Sequence, residues 1–279
     1  MIVTLTTDFG LQDGYVAAMK GTVLATAPGV RIVDVTHEVP AQDVMAAAFV
    51  LRQTAPFFPA DTVHLAVVDP GVGTPRRAIA ARATVDGTPC RFVGPDNGLL
   101  PLLADDGTVD AVVLDRPDRW RTPLPSDTFH GRDVFGPVAA ALAAGARLDE
   151  VGSPAGDLTP LHWPLPRIDA EGVEGMVLHV DRFGNCVTNI PRDAVAGRGG
   201  AFKAYVGTAV LRRHVASYGH VPAGEPLTLF GSTGHLEIAV NRGDAAALLS
   251  VVRGASVNLV FDAAPPVPPR PRTRATTTA

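Results

Sequence analysis

The chain has 279 residues, of which 46% are hydrophobic and 19% are charged, and its formal net charge is −4 at pH 7. This length and composition predict a soluble globular protein with a sizeable core, and the weakly negative charge argues against nucleic-acid binding. Two cysteines, Cys90 and Cys186, are too few for a disulfide framework, and the absence of a CxxC pair argues against a zinc site.

The first predicted element is a strand at residues 2–6, IVTLT. It begins without a basic leader or a cleavable apolar stretch, and no apolar run reaches the ~20 residues that a membrane helix needs. We therefore expect a cytoplasmic protein that makes no contact with membranes.

Strands and helices then alternate through residues 1–152. Asp13 and Asp43 stand where the first two helices need an N-cap. The pattern predicts strands at 31–35, 63–68, 78–83 and 111–114, and helices at 15–28, 44–55 and 134–144. This alternation is typical of an α/β domain with a mainly parallel sheet.

The period of the pattern changes after a proline-rich segment at 153–172, which we interpret as a linker between domains. In residues 173–262, apolar and polar side chains alternate at 176–181, 236–241 and 257–261. Half-buried strands at this spacing favour a small antiparallel barrel or sandwich. Residues 263–279 are rich in Pro, Arg and Thr, and we expect a disordered tail.

Two polar clusters in the first domain stand out as candidate chemistry. In VVDPGVGTPRRAI, Asp69 follows an apolar strand, and Arg76 comes just past the Pro-Gly turn. In TFHGRD, His130 lies in a similar setting. Open α/β sheets keep their sites at the carboxyl ends of strands, so we expect Asp69, Arg76 and His130 to meet and hold one water molecule.

Other interpretations of these residues stay open. Asp8, Asp69 and Asp96 all end predicted strands, and an aspartate there is commonly a turn or cap residue. A single histidine is commonly structural, and Asp with His could also bind a metal, although Arg76 would repel a cation. The GVG after Asp69 lacks the full GxGxxG pattern of dinucleotide sites.

The second domain carries two further polar clusters, Asp181-Arg182-Phe183-Gly184-Asn185 and Ser232-Thr233-Gly234. Each sequence fits a simple turn. The alternative is that their amide, hydroxyl and aromatic groups surround a flat polar ring.

Six motifs occur in order between residues 2 and 261: TDFGLQDGYVAAMKG, VVDPGVGTPRR, VGPDNGLL, TFHGRDVFGP, DRFGNCVTNI and GSTGHLEIAVNRG. Together they resemble the S-adenosyl-L-methionine (SAM) hydrolases, or SAM hydroxide adenosyltransferases, which are relatives of the fluorinase and chlorinase. The resemblance implies an N-terminal α/β domain and a C-terminal antiparallel β-barrel. It also implies a homotrimer with sites between subunits, SAM as the substrate, water as the co-substrate, and neither metal nor cofactor.

The resemblance assigns catalysis to Asp69, Arg76 and His130, which match the family's Asp-Arg-His set. Substrate contacts carry over to Asp8 at the ribose, Phe129 and Phe183 at the nucleoside, Asp181 at the methionine ammonium, and Asn185, Ser232, Glu237 and the Val240 backbone at the adenosine. Gln42 and Thr233 depart from the halogenase pattern, which has Trp and Arg there. The expected reaction is attack of the held water on the ribose 5′ carbon.

Three rival functions remain. The halogenases carry Tyr in place of both Asp69 and His130, and a carboxylate at Asp69 would repel the halide that they bind. A SAM- or adenosine-binding protein without turnover would keep the same substrate contacts. A methyltransferase is disfavoured because the glycine-rich loop is absent.

Overall fold

The computed structural model describes residues 1–105, 108–198 and 201–261. The predicted tail at 263–279 lies outside these residues. The chain divides into two compact units between Trp163 and Pro164. Within the segment interpreted as a linker, residues 153–172, two short strands form, Ser153–Pro154 and Arg167–Ile168.

The first unit is built on a mixed sheet. Within residues 1–105 and 108–163, its seven strands are β1 (Ile2–Thr7), β2 (Arg31–Thr36), β3 (Val63–Val67), β4 (Ala78–Val85), β5 (Thr88–Pro95), β6 (Asp110–Val113) and β7 (Ser153–Pro154), in the order β2-β1-β3-β5-β4-β6-β7. The neighbours from β2 to β5 pair in parallel, and those from β5 to β7 pair antiparallel. The α/β class is confirmed.

The antiparallel half of this sheet corrects the expectation of a mainly parallel one. β4 and β5 form a hairpin whose two loop residues, Asp86 and Gly87, have φ angles of 46° and 73°. An Asp-Gly pair adopts this left-handed turn readily, so the chain reverses after β4 instead of crossing over through a helix. β5 was not predicted as a full strand, and the hairpin was therefore missed.

Helices cover both faces of the sheet. They are α1 (Tyr15–Thr26), α2 (Val44–Thr54), α3 (Leu99–Leu103) and α4 (Gly136–Ala143). One apolar cluster joins α1 and α4 to Val3 and Leu5 of β1, and another joins α2 and α3 to Ala66 and Val68. β3 is buried on both faces, which explains why its sequence, VHLAV, is apolar except for His64.

The two predicted helix caps have different outcomes. Asp43 caps α2, because its carboxylate accepts a hydrogen bond from the Ala46 amide at 2.9 Å. The Asp13 cap was wrong: α1 begins at Tyr15 after Gly14, and no side chain caps it.

The second unit is an antiparallel barrel. In residues 164–198 and 201–261 its eight strands are β8 (Arg167–Ile168), β9 (Gly172–Val180), β10 (Cys186–Pro191), β11 (Phe202–Val206), β12 (Ala209–Leu211), β13 (Pro226–Phe230), β14 (His235–Val240) and β15 (Ser256–Phe261). Their order is β12-β11-β15-β9-β10-β14-β13, and β8 pairs with β9. A bridge from His214 to Thr228 brings the chain after β12 to β13, so the sheet nearly closes.

The barrel strands enclose one apolar core. The inward side chains include Leu236, Ile238 and Val240 of β14 and Val257 and Leu259 of β15. The three predicted runs are confirmed as strands β9, β14 and β15, although residues 181 and 241 lie just past the strand ends. The alternating burial is seen in β15, whereas both faces of β14 are buried. A short helix, α5 (Ala245–Leu249), is capped by Asp244. Among the described residues, no helix is both long and apolar enough to cross a membrane.

Candidate active site

Asp69 and Arg76 form an ion pair just beyond the carboxyl end of β3. Arg76 Nε donates to Asp69 Oδ1 at 2.9 Å, and Nη2 donates to Oδ2. The side chains of Arg76 and Asp69 are only 10% and 5% exposed. Because both carboxylate oxygens are engaged by one planar guanidinium, the orientation of the pair is fixed.

A tight turn brings Arg76 back to Asp69. The Val72 amide donates to the Asp69 carbonyl at 3.3 Å, and Thr74 Oγ1 donates to the Gly71 carbonyl at 2.6 Å. Arg76 Nη1 donates to the Arg77 carbonyl at 3.1 Å, so the guanidinium is also tied to its own backbone segment. The Pro-Gly-Val-Gly sequence therefore places a carboxylate and its cation at one strand end.

His130 completes the cluster from a distant part of the chain. Its Nδ1 lies 3.1 Å from Arg76 Nη2. A guanidinium can only donate, so Nδ1 accepts, and the proton of the neutral ring lies on Nε2. Burial and the Arg76 cation hold the pKa of His130 below its ordinary value. Within the described residues, no group of three or more His, Cys, Asp or Glu side chains is placed to hold a metal ion.

The buried carboxylate of Asp133 fixes the loop that precedes His130. It accepts hydrogen bonds from Arg121 Nε at 2.6 Å, from Arg132 Nε at 2.7 Å and from the Ser126 amide at 3.0 Å. The Arg132 guanidinium and these other donors hold the pKa of Asp133 well below its usual range. His130 directly precedes the π-helical turn Gly131–Phe135, whose Phe135 ring lies 5.2 Å from the Arg76 guanidinium carbon.

The two loops that carry the cluster meet at Gly73. Its φ is 75°, and a Cβ built on it would lie 2.6 Å from the Asp127 carbonyl oxygen. Only a glycine fits both this backbone angle and this close approach.

Gly73→Ala is therefore expected to lower the free energy of unfolding by about 2 kcal/mol or more and to reduce turnover. Gly87→Ala is the matched control, because Gly87 has a φ of 73° with no atom within 4 Å of the added Cβ. It is expected to cost about 1 kcal/mol and to leave turnover intact. Urea unfolding and steady-state kinetics measure both variants, and equal effects would show that the contact with Asp127 is unimportant.

A cleft of about 340 Å³ opens beside the cluster. Its lining includes Asp69 and His130, together with Asp8, Phe9, Tyr15, Gln42 and Phe129. The rings of Phe9, Tyr15 and Phe129 contact one another edge to face, with centroids 5.3–6.0 Å apart. The cleft thus joins two carboxylates, a neutral histidine and an aromatic wall, which suits a ligand with both polar and flat apolar parts.

Asp8 lies just beyond the end of β1, which is the strand next to β3. Its Oδ2 accepts a hydrogen bond from the backbone N–H of Gln42 at 2.7 Å. Gln42 has a φ of 64°, a left-handed conformation that costs free energy for a residue with a side chain. The strained loop holds one edge of the carboxylate, and Oδ1 remains to accept a ligand's hydroxyl group.

Asp96, the third aspartate at a strand end, has a structural environment. Its Oδ2 accepts from Arg77 Nε at 2.9 Å, and its Oδ1 accepts from the Thr159 amide at 2.9 Å. The residue is 5% exposed and does not line the cleft that contains Asp69. Arg77 and Asp96 hold the segment that follows β7, because Arg77 also donates to the Ala155 carbonyl. The pair serves as a comparison for the Asp69–Arg76 pair.

The second unit has its own cleft of about 570 Å³, lined by Asp181, Phe183, Asn185, Tyr218, Val240, Arg242, Gly243 and Asp244. Asp181 Oδ1 accepts hydrogen bonds from the Phe183 and Asn185 amides at 2.8 and 2.9 Å, and Oδ2 accepts from Asn185 Nδ2 at 2.9 Å. The carboxylate thus shapes the turn between β9 and β10 and orients the Asn185 amide. Phe183 is 75% exposed.

Glu237 is joined to this cleft through Tyr218, whose hydroxyl donates to Glu237 Oε1. Burial, with the nearby Asp181 carboxylate, raises the pKa of Glu237. Burial and the same hydrogen bond raise the pKa of Tyr218. The pair therefore presents a hydroxyl and a buried acid close to Asp181.

Ser232 lies in the turn between β13 and β14 and does not line the cleft that contains Asp181. It follows Gly231, where an added Cβ would lie 2.6 Å from Glu237 Oε2, so this turn approaches the Glu237 carboxylate. Val240 and Asn185 lie at the opposite end of the same strands, where Cys186 pairs with Ile238. Glu237 lies between the two ends, and the structure does not bring Ser232 into the cleft.

Three aromatic residues of these clefts, Phe9, Tyr15 and Tyr218, were missed in the sequence. Tyr15 opens α1 and Tyr218 lies in a short turn, Tyr218–His220. Tyr15 is 51% exposed and belongs to the motif TDFGLQDGYVAAMKG, which gave the available clue. No sequence pattern pointed to Tyr218, because its role depends on a hydrogen bond to Glu237, which lies 19 residues further along the chain.

Comparison with known proteins extends these observations to a family. The N-terminal domain of the SAM hydroxide adenosyltransferases matches residues 3–152, and their C-terminal domain matches residues 175–258. The (R)-S-adenosyl-L-methionine hydrolase of Salinispora tropica is 45% identical over 90% of this chain and 95% of its own length. The protein of the same name from Thermus thermophilus is 43% identical over 91% of this chain and 97% of its own.

A more distant relative and a solved structure agree with these matches. A fluorinase of Actinoplanes is 28% identical over 92% of this chain and 97% of its own. The crystal structure of an uncharacterised conserved protein from Thermotoga maritima superposes with a TM-score of 0.85 and 38% identity, covering 93% of this chain and all of that one. The chain belongs to the SAM hydroxide adenosyltransferase family.

Proposed function

We propose that the protein hydrolyses SAM to adenosine and L-methionine. The observation that carries this proposal is the linked set of Asp69, Arg76 and His130 beside a cleft that also contains Asp8. Similarity to proteins named (R)-S-adenosyl-L-methionine hydrolase supports the same reaction.

The proposed nucleophile is a water molecule held by these three side chains. Water is weakly nucleophilic at pH 7, so the site must stabilise hydroxide character as the proton leaves. Arg76 supplies the positive charge for this step. Its hydrogen bond occupies the acceptor nitrogen of His130, so His130 Nε2–H orients the water oxygen, and a lone pair of Asp69 accepts the proton.

Departure of the leaving group requires no general acid. The sulfonium of SAM departs as the neutral thioether of methionine, and the C5′–S bond electrons neutralise its charge. The reaction therefore needs a positioned water in line with the C5′–S bond, and positioning of this kind supplies up to roughly 7–11 kcal/mol. No metal or cofactor enters the proposed steps.

Substrate contacts are proposed on both units. Asp8 would accept a hydrogen bond from the ribose diol, with Phe129 along the nucleoside. In the second unit, Phe183 would line the nucleoside, and Asp181 would meet the methionine ammonium. Asn185, Ser232, Glu237 and the Val240 backbone are the proposed polar contacts to the adenosine.

We further propose that the protein is a homotrimer with sites between subunits, and that it acts in the cytoplasm. The proposed substrate contacts are divided between the two units, and aromatic side chains lie exposed in each cleft. Tyr15 is 51% exposed in the first and Phe183 is 75% exposed in the second. Exposed aromatic surface of this kind is typical of an interface.

Incubation with SAM and chromatography of the products test this function. Adenosine and methionine in equal amounts are expected. The same incubation with added chloride or fluoride addresses the halogenase, which is disfavoured because the Asp69 carboxylate would repel a halide. Halogenated adenosine or S-adenosylhomocysteine would identify a different enzyme, and intact SAM after long incubation would indicate a binding protein.

The rate is expected to depend on the protonation of His130. Its pKa is lowered by burial and by Arg76, so the ring is neutral at pH 7 and gains a proton only in acid. A protonated ring cannot accept from Arg76, so kcat should fall as pH falls through a value below 6.5 and should be level above it. A pH profile of kcat that rises only above pH 8 would contradict this.

A further inference from the structure

The loop that carries Asp8 is fastened to a second loop by two buried side chains, Thr7 and His37. Thr7 Oγ1 lies 2.8 Å from His37 Nδ1 and accepts a hydrogen bond from the Phe9 amide at 3.3 Å. The Gly10 amide donates to the His37 carbonyl at 2.8 Å. These contacts fix the backbone on both sides of Asp8.

The direction of the hydrogen bonds follows from the partners. The Thr7 hydroxyl accepts from the Phe9 N–H, and it donates its own proton to His37 Nδ1 when that nitrogen carries no proton. The ring proton then lies on Nε2, which is 3.1 Å from Asp34 Oδ1. A carboxylate at that distance favours this tautomer. Asp34 is in turn paired with Lys20, 2.6 Å away.

We propose that His37 is a positioning residue for the Asp8 carboxylate. This rests on the proposed function, in which Asp8 accepts a hydrogen bond from the ribose. His37 is 4% exposed and does not line the cleft, so it acts through Thr7 and the loop. The Gln42 amide, five residues further along the chain, bonds the same carboxylate at 2.7 Å.

A second buried histidine provides a matched control. His64 Nδ1 lies 2.8 Å from Thr4 Oγ1, on the same strand β1, and both residues are fully buried. Neither residue lines the cleft. The pair at His37 borders the Asp8 loop, and the pair at His64 does not, so His64 serves as a control for the loss of a buried histidine–threonine hydrogen bond.

The experiment compares kcat and KM for SAM in His37→Leu and His64→Leu. His37→Leu is expected to raise KM about tenfold with kcat changed less than about threefold, because the ribose contact is made in ground and transition states alike. His64→Leu should leave both unchanged. His37→Asn should restore most of the affinity, since Oδ1 of asparagine can accept from Thr7 where Nδ1 did.

A double-mutant cycle gives the sharpest reading. In an Asp8→Ala background, His37→Leu should raise KM less than about twofold, because the carboxylate that it positions is gone. An unchanged KM in His37→Leu, an equal rise in His64→Leu, or a full tenfold rise in the Asp8→Ala background would each overturn the proposal. Where His37→Leu fails to fold, Thr7→Val against Thr4→Val carries the same comparison.

The failure of this inference is distinguishable from failure of the proposed function. Wild-type protein that does not turn over SAM would overturn the function. The affinity for adenosine, measured by calorimetry in the same variants, would then still test whether His37 positions Asp8. Turnover by the wild type with unaltered KM in His37→Leu would overturn the inference alone.

Discussion

Asp69→Asn is expected to lower kcat for SAM hydrolysis by about a thousandfold or more, with the Kd for SAM changed less than about threefold. Asparagine matches aspartate in shape, but its amide group has no negative charge and cannot take up the proton of the attacking water. Its NH₂ group would also face the donors of Arg76, whose side chain is only 10% exposed. Stopped assays of adenosine release and calorimetric titration with SAM measure the two quantities.

Asp96→Asn is the control for this variant. Asp96 is also a buried aspartate at a strand end and forms an ion pair with Arg77, whose side chain is 33% exposed, but it does not line the cleft. We expect it to lower stability while kcat stays within about fivefold of wild type. A similar loss of kcat in both variants would mean that Asp69 acts through the fold, and a kcat above a tenth of wild type in Asp69→Asn would remove it as the proton acceptor.

Arg76→Lys is expected to reduce kcat by about a hundredfold or more, although the charge is kept. Arg76 donates to both oxygens of Asp69, and Nη2 also donates to His130. A single ammonium group on a flexible stem cannot hold all three acceptors in this arrangement, so the water would lose its fixed position.

Arg77→Lys offers the comparison, because Arg77 neighbours Arg76 in the chain and binds Asp96 instead of Asp69. It should retain most of the wild-type kcat. Measurements of kcat at saturating SAM separate the two cases. Activity of Arg76→Lys within tenfold of wild type would show that charge alone, without the geometry, suffices.

The sequence was most informative where chemistry and a turn coincide. Asp69 and Arg76 are seven residues apart across a Pro-Gly turn, so their meeting could be anticipated. His130 lies 54 residues further along the chain than Arg76, and its similar setting in the sequence was the basis for expecting it at the same end of the sheet. Its place in the motif TFHGRD, which resembles the family's, supported the same expectation.

Features that depend on tertiary contacts were less predictable. The hairpin at Asp86-Gly87 reverses the chain between β4 and β5 and begins the antiparallel half of the first sheet. In the sequence, only the Asp-Gly pair indicated this reversal. The wrong cap at Asp13 followed from treating the residue type as sufficient, whereas the chain places Gly14 before α1. Tyr218 contributes to the second cleft only because the barrel brings it to Glu237.

The central claim is that a water molecule held by the Asp69–Arg76–His130 cluster attacks the 5′ carbon of SAM. Reaction in ¹⁸O-labelled water, followed by mass spectrometry of both products, tests it directly. We predict one labelled oxygen in the 5′-hydroxyl of adenosine and none in methionine. Adenosine without label, or label in the methionine, would contradict attack by water at that carbon.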